Sequence, residues 1–304
     1  MCRSMRASGK SKGRMDTKEK WDIKVSIIMG VYNPEHEEWL KASICSMIDQ
    51  SLTEWEMILY DDGSDAVYKE RIEKAAKMDQ RIRLIRGREN RGLAYALNQC
   101  LKHAKGRYVA RMDDDDISMP ERLEKQYQFL EKNQEFGWAG TTAALFDAGG
   151  IWGKEELSEI PGAEDFLKHS PYIHPSVMFR SEVLKHAGGY LAARRTKRCE
   201  DYELFMRLCA EGLRGYNIQE ELFLYREDYR SYRKRKMKYR LFEMQIRYQG
   251  FQKLHILTPA SLPYVLRPLV GGLPGIGTGW RIFRRKYKEI QNRKNDLWRN
   301  ENGQ

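Results

Sequence analysis

The stretch "ARMDDDDISMPERLEKQ" (110–126) sets four aspartates, Asp113 to Asp116, in succession. Adjacent carboxylates repel one another, so such a run is unfavourable unless a positive group offsets it. Clustered carboxylates are hard oxygen ligands suited to Mg2+ or Mn2+, and such ions commonly carry substrate phosphates. In an extended backbone Asp113 and Asp115 project to one side and Asp114 and Asp116 to the other, which predicts one pair toward a cation and one toward the protein. The plain alternative is an exposed acidic turn ahead of a helix, with Ser118 as the cap before Pro120. A second acidic motif, "YDDGSD" (60–65), has the residues of a β-turn or a helix cap; a carboxylate there also suits the N–H of a nucleobase or a ribose hydroxyl. A third, "CEDYELF" (199–205), opens a helix with Glu200 and Asp201, where the macrodipole favours acids. Its chemical use is a general base toward an acceptor hydroxyl.

The elements that must position these motifs alternate. "KVSIIMG" (24–30) is a short apolar run that reads as a buried strand, and 34–50 reads as a helix with Pro34 in its first turn. Strands follow at 55–62, 81–87 and 106–112, separated by helices at 67–79 and 92–104, the latter with Leu93, Ala96, Leu97 and Leu101 on one face. A helix over 120–133 follows the aspartates. Beyond it lie a strand within "FGWAGTTAALF" (136–146), a strand and short helix within 174–190, and an amphipathic helix over 199–212. In that helix Leu204, Leu208 and Cys209 face inward, and a strand at 221–226 closes the domain. Strand–helix alternation predicts an α/β, doubly wound, mostly parallel sheet flanked by helices. Ligands of such sheets bind beyond the carboxyl ends of the strands, which is where "DDGSD" and "DDDD" both fall.

The 304 residues are 41% hydrophobic and 11% aromatic, enough to build a core, so wholesale disorder is excluded. The formal charge of +11 is unevenly placed: +5 in residues 1–20, −7 in 21–225 and +13 in 226–304. An acidic middle with basic ends points to a catalytic domain tethered to an anionic surface rather than to a nucleic-acid-binding core. The expected organisation is a mobile basic arm at 1–22, a catalytic domain at 23–227 and a basic helical extension at 228–304. No run of eighteen apolar residues and no secretory leader is visible. The five cysteines lack metal-ligand or framework spacing and read as reduced thiols of a cytoplasmic protein. "GGLPGIGTGW" (271–280) contains G-x-G but follows no predicted strand, so it is not a dinucleotide fingerprint. The tail interleaves Tyr232, Phe242, Tyr248, Phe251 and Trp280 with cations. It is expected either to pack on the domain with a solvated basic face or to attach peripherally to the anionic inner face of the cell membrane.

In order along the chain, "VSIIMGVYN", "YDDGSD", "RENRGLAYALNQCLKHAKGRYVARMDDDDISMPERLEKQYQFLEKN", "HPSVMFR" and "CEDYELFMRL" resemble the family 2 glycosyltransferases of bacterial polysaccharide biosynthesis, inverting enzymes with the GT-A fold. The resemblance covers about 24–226. It implies that Gly30, Val31 and Tyr32 line a nucleotide pocket, that Asp62 holds the base with Asp61 beside it, and that Asn90 and Arg91 approach the nucleotide together with Asp113 and Asp114. It implies Asp113 and Asp115 as the D-x-D pair, with Asp115 the first choice as ligand to Mn2+ or Mg2+. It further implies Asp201 as catalytic base supported by Glu200, and His174 on the acceptor side. The implied reaction moves one sugar from a nucleotide-diphosphate sugar, UDP-linked by default, to a glycan or lipid-linked acceptor, with inversion. Two departures stand out. The middle residue of the D-x-D is Asp114 rather than a small residue, and "YREDYR" has Glu227 and Asp228 where some relatives carry a histidine. The Q-x-x-R-W motif of processive synthases is absent. A sugar-phosphate nucleotidyltransferase would need a Gly-rich basic loop after the first strand, which "MGVYNPEHE" is not. A nucleic-acid-binding reading of the tail leaves the acidic motifs without a purpose.

Overall fold

The structure is a computed structural model and describes residues 23–227, 236–271, 279 and 282–291. The expected arm at 1–22, Asp228, Tyr232 and Trp280 lie outside the described residues.

β1 (Val25–Val31), β2 (Trp55–Asp61), β3 (Ile82–Arg86) and β4 (Tyr108–Arg111) are parallel and hydrogen-bonded in the order β3-β2-β1-β4. α1 (Glu37–Ile48), α2 (Ala66–Ala76) and α3 (Leu93–Leu101) connect them. The register pairs Val31 with Asp61 and Ile28 with Arg111, so the carboxyl ends of β1, β2 and β4 reach one edge. Apart from Ser26, β1 is apolar, because both its faces are covered. Val25, Ile27, Met29 and Val31 join a core with α1, α2 and α4 (Arg122–Lys132), whereas Ile28 joins a second core with α3 and later helices.

The second half of the sheet is mixed. β8 (Met178–Arg180) runs antiparallel to β4 and to β6 (Trp138–Asp147). β9 (Gly215–Arg226) is parallel to β6. Two strands come without a sequence signal. β5 (Ile117–Ser118) pairs with β9, and β7 (Gly150–Glu155) pairs with β6. β5 consists of two residues, too few to show a period.

Three local expectations change. α1 begins at Glu37, leaving Pro34 outside it. Ser118 does not cap α4: it is buried in β5, where its Oγ accepts from Arg122 Nε at 2.7 Å and its N–H donates to Ser46 Oγ at 3.1 Å. Cys100, Cys199 and Cys209 carry free thiols, but Cys45 is disulfide-bonded, contrary to the expectation of reduced thiols throughout.

α5 (Ser181–His186) and α6 (Glu200–Ala210) cover the second core, and the tail helices α7 (Met237–Lys253) and α8 (Leu262–Val270) complete it. Ile246, Phe251 and Val265 are buried there beside Leu204, Phe205 and Leu208 of α6. The first part of the basic extension is thus integral to the packing of the helix that bears Glu200 and Asp201.

Candidate active site

The β1 and β2 ends are laced together before any ligand enters. Asn33 adopts φ 47° and its Nδ2 donates to Asp65 Oδ2 at 2.8 Å, while Asp65 N–H returns to Asn33 Oδ1 at 2.9 Å. Gly63 has φ 73°, and a Cβ there would overlap the backbone of Glu89, so only glycine fits this turn. Asp62 uses its carboxylate on the loop that opens α3: it accepts from Asn90 Nδ2 at 3.0 Å, Arg91 N–H at 3.1 Å and Gly92 N–H at 2.7 Å. Burial raises its pKa, against the pull of those N–H groups. Asp61 is fully buried; its Oδ1 accepts from Ser64 N–H at 2.8 Å, but its Oδ2 has no hydrogen-bond partner among the described residues.

The residues expected at this edge differ in what they already contact. The Val31 side chain lies in the core, and its carbonyl accepts the Asp62 N–H at 2.8 Å. Gly30 serves packing: a Cβ there would come 2.9 Å from Ala96 Cβ on α3. Asp62 is the clamp of the Asn90–Gly92 loop, whereas Asp61 keeps a buried oxygen without a hydrogen-bond partner among the described residues. Tyr32 remains 47% exposed, and Asn90 and Arg91 are exposed, with the Arg91 guanidinium 4.0 Å from the Tyr95 ring centroid.

The aspartate run is a bend between β4 and β5, not an extended strand, which breaks the expected alternation. Asp113, Asp115 and Asp116 bring one carboxylate oxygen each within 4.8 Å of one another; Asp114 stands apart from that group. Two cations hold the bend from the protein side. Arg111, fully buried at the end of β4, is ion-paired with Asp113. Arg226, at the end of β9, gives its N–H to Asp116 Oδ1 at 2.7 Å and its Nε–H to the Asp115 carbonyl at 2.7 Å. Burial, then the neighbouring carboxylates, push Asp114 up to about 8 and Asp115 up to about 6; Asp116 is raised well above the ordinary range for the same reasons. Carboxylates so raised are unsatisfied as anions and gain from a cation. Asp116 Oδ2, buried with no hydrogen-bond partner among the described residues, is such an atom. Three hard oxygen donors with one orphaned fit a divalent ion of the Mn2+ or Mg2+ kind.

The third motif faces the same centre. Glu200 and Asp201 form the first turn of α6, with Glu200 buried and Asp201 half-buried. Burial, then the Asp201 charge, raise Glu200 to about 7. His174 lies in a short 3-10 turn before β8, with its Nε2 2.8 Å from the Tyr190 hydroxyl. Burial and the Arg111 charge drive its pKa well below the usual histidine value, so it stays neutral. The Tyr190 phenol is raised by burial and feels the charges of Arg111, Asp201, Glu200 and Asp113 together. Arg111 is the common neighbour: its charge acts on Asp114, Asp115, Asp116, His174 and Glu200. It lowers the pKa of every one of them, so one buried cation acts on both the aspartate run and the acid-bearing helix.

Sequence reasoning missed Asp116 as part of the cluster, and it missed Arg111, Tyr190, Tyr225 and Arg226. Tyr225 is raised by burial and by Asp116 and Asp113. The only prior signal for the last two was their place in the closing strand.

Solved structures share this architecture. TarS from S. aureus, in complex with UDP, superposes with a TM-score of 0.58 at 16% identity, covering 93% of this chain and 92% of that one. The mannosyltransferase PcManGT from Pyrobaculum calidifontis, in complex with GDP-Man and Mn2+, superposes with a TM-score of 0.56 at 18% identity, covering 88% and 83%. At these identities the likeness shows the fold, which is of the GT-A type. The family model described as Glycosyl transferase family 2 matches residues 26–188. EpsE of Bacillus subtilis (strain 168) is 38% identical over 279 residues, 91% of this chain and 98% of EpsE. The O-antigen biosynthesis glycosyltransferase WbnJ of Escherichia coli is 30% identical over 222 residues, 71% of this chain and 84% of WbnJ. The chain belongs to glycosyl transferase family 2.

Proposed function

We propose that the chain transfers one sugar, with inversion, from a UDP-sugar to a hydroxyl of a lipid-linked or cell-surface glycan. The observation that carries this reading is the convergence of the aspartate cluster and the Glu200–Asp201 turn around Arg111 at one sheet edge. The donor's nucleotide lies against the β1 and β2 ends, with Tyr32 as the exposed ring and Asn90 and Arg91 on the opposing loop; Asp61 Oδ2, though buried, is the acceptor at the β2 end without a partner among the described residues. Asp113, Asp115 and Asp116 would hold a divalent ion, Mn2+ or Mg2+, and its charge would offset that of the diphosphate leaving group.

Asp201 accepts the proton of the acceptor hydroxyl as its oxygen forms the new bond to the anomeric carbon. The bond from that carbon to the phosphate oxygen breaks on the opposite face, and its electrons leave with the nucleotide diphosphate. Glu200, titrating near neutrality beside Asp201, limits the negative charge that the base must share. His174 and Tyr190 form a neutral pair on the acceptor side. UDP in TarS, GDP-Man with Mn2+ in PcManGT, and the O-antigen role of WbnJ support the donor, metal and acceptor classes.

Attachment to an anionic membrane face belongs to the same reading. Leu262, Leu266 and Val270 form an exposed apolar stripe on α8, and Phe283, Tyr287 and Ile290 form another on the helical segment 282–291. Basic residues surround both, each worth about 1 kcal/mol when well placed at such a surface. No helix among the described residues is long and apolar enough to cross a membrane.

A donor screen with Mn2+ tests the chemistry. Asp201→Asn should lower kcat by about 10²–10⁴-fold while donor binding survives; wild-type turnover in that variant would remove Asp201 as the base. Flotation with anionic liposomes tests attachment, and full-length protein that stays unbound at low salt rejects it.

A further inference from the structure

A chain of charged groups leads out of the aspartate cluster into the C-terminal tail. Arg226 touches the run twice, through its N–H to Asp116 and its Nε–H to the Asp115 carbonyl. Its guanidinium is held between the rings of Trp39 at 4.2 Å and Phe146 at 4.3 Å. The next residue, Glu227, is buried, and both its carboxylate oxygens accept from Arg284 NH1, at 2.7 and 3.0 Å. Arg284 NH2 also donates to Glu155 at the end of β7, at 2.6 Å. Lys288 donates to the same Glu155 oxygen at 2.7 Å. The segment 282–291 thus grips the sheet one residue beyond the group that holds Asp115 and Asp116, and it lies far outside residues 26–188, where the family model matches.

We propose that Arg226, Glu227 and Arg284 are positioning residues for the cation cluster, so that the C-terminal segment sets where Asp115 and Asp116 stand. The inference rests on the reading of Asp113, Asp115 and Asp116 as a metal cluster. Its physical basis is local. The run is an irregular bend whose carboxylates repel one another, so its shape depends on the cations that hold it. Arg111 holds Asp113; Asp115 and Asp116 are held by Arg226. Without Arg284 the buried Glu227 carboxylate, next to Arg226 in the chain, loses two hydrogen bonds from a guanidinium, and a buried charge weakened in this way favours local rearrangement toward water. Movement of the strand end at 226–227 carries Arg226 with it. Groups that orient ligand carboxylates in this way commonly govern metal affinity as strongly as the ligands' own surroundings.

The test is Mn2+ binding to the full-length protein, read from the electron paramagnetic resonance of the free ion, with Tm measured in parallel. Arg226→Lys keeps the charge but loses the planar fork, and should weaken Mn2+ binding about tenfold. Arg284→Ala should weaken it by a smaller factor, and Arg284→Lys should recover most of that loss. Lys288→Ala loosens the same segment from Glu155 and removes no hydrogen bond from Glu227, on which Lys288 acts only through its charge; it should lower Tm and change Mn2+ affinity less than Arg284→Ala does. Wild-type Mn2+ affinity in both Arg226→Lys and Arg284→Ala overturns the proposal, as does a Lys288→Ala loss equal to that of Arg284→Ala. A wild-type protein that takes up no Mn2+ overturns the cluster reading and this proposal together, whereas uniform Mn2+ affinity across the variants overturns the proposal alone.

Discussion

Asp62 after β2 and Asp115–Asp116 after β4 stand at the same edge of the same sheet, yet they do opposite work. Asp62 faces a loop that aims three N–H groups at it, so its carboxylate is saturated and acts as a clamp. Asp116 receives one N–H and keeps a buried oxygen without a partner among the described residues, beside carboxylates that repel it. The role of an aspartate at a strand end is therefore set by how many donors the neighbouring loops direct at it. A saturated carboxylate supports the fold; an under-satisfied cluster has the chemistry that suits a cation.

The contrast can be broken by mutation. The largest expected effect is at the open cluster: Asp115→Asn should lower kcat by about 10²–10³-fold, the range seen when one stabiliser of developing charge is removed. Its Tm without metal should hold or rise, because repulsion within the run is relieved. A fall in Tm like that of a clamp mutant would erase the distinction. Asp113 belongs to both kinds, since it also neutralises Arg111. Asp113→Ala should therefore cost stability as well as activity, about 3 kcal/mol in urea unfolding, at the low end for breaking a buried pair because Asp115 and Asp116 remain near Arg111. Asp62→Ala should cost about 2 kcal/mol by leaving the Asn90–Gly92 donors without an acceptor, and donor affinity should fall only as that loop loosens.

The smallest effect sharpens the comparison through pH. Glu200 has a folded-state pKa of about 7 against an ordinary 4.5. The folded protein keeps a proton that the unfolded chain gives up between those values, so this group makes stability decline as pH rises from about 4.5 to about 7. Glu200→Gln should flatten that part of the Tm–pH curve. An unchanged slope would show that Glu200 is not the buried acid responsible.

Much of the fold was legible because its signals are local. "KVSIIMG" and "WEMILYDD" are apolar runs of strand length, and the helix faces repeat at a helical period. Their alternation placed the acidic motifs at the carboxyl edge without any contact being known. The mixed half of the sheet was less legible: β5 and β7 are short, and their pairing with β9 and β6 depends on residues distant in sequence. Within the site, residue types were readable but their division of labour was not. Asp61 and Asp62 differ only in which loop faces them, and the alternation expected of Asp113–Asp116 failed because the segment bends.

The sequence by itself determined the strand–helix alternation, the acidic strand-end motifs and the helix that begins with Glu200 and Asp201, all of which follow from periodicity and near-neighbour chemistry. Only the tertiary structure decided which carboxylates are saturated, that Asp116 joins Asp113 and Asp115, and that Arg111 and Arg226 hold them. Those assignments depend on contacts such as Arg226 with Asp116, whose positions are 110 residues apart. No spacing rule encodes such a contact, because folding alone brings the end of β9 to the end of β4.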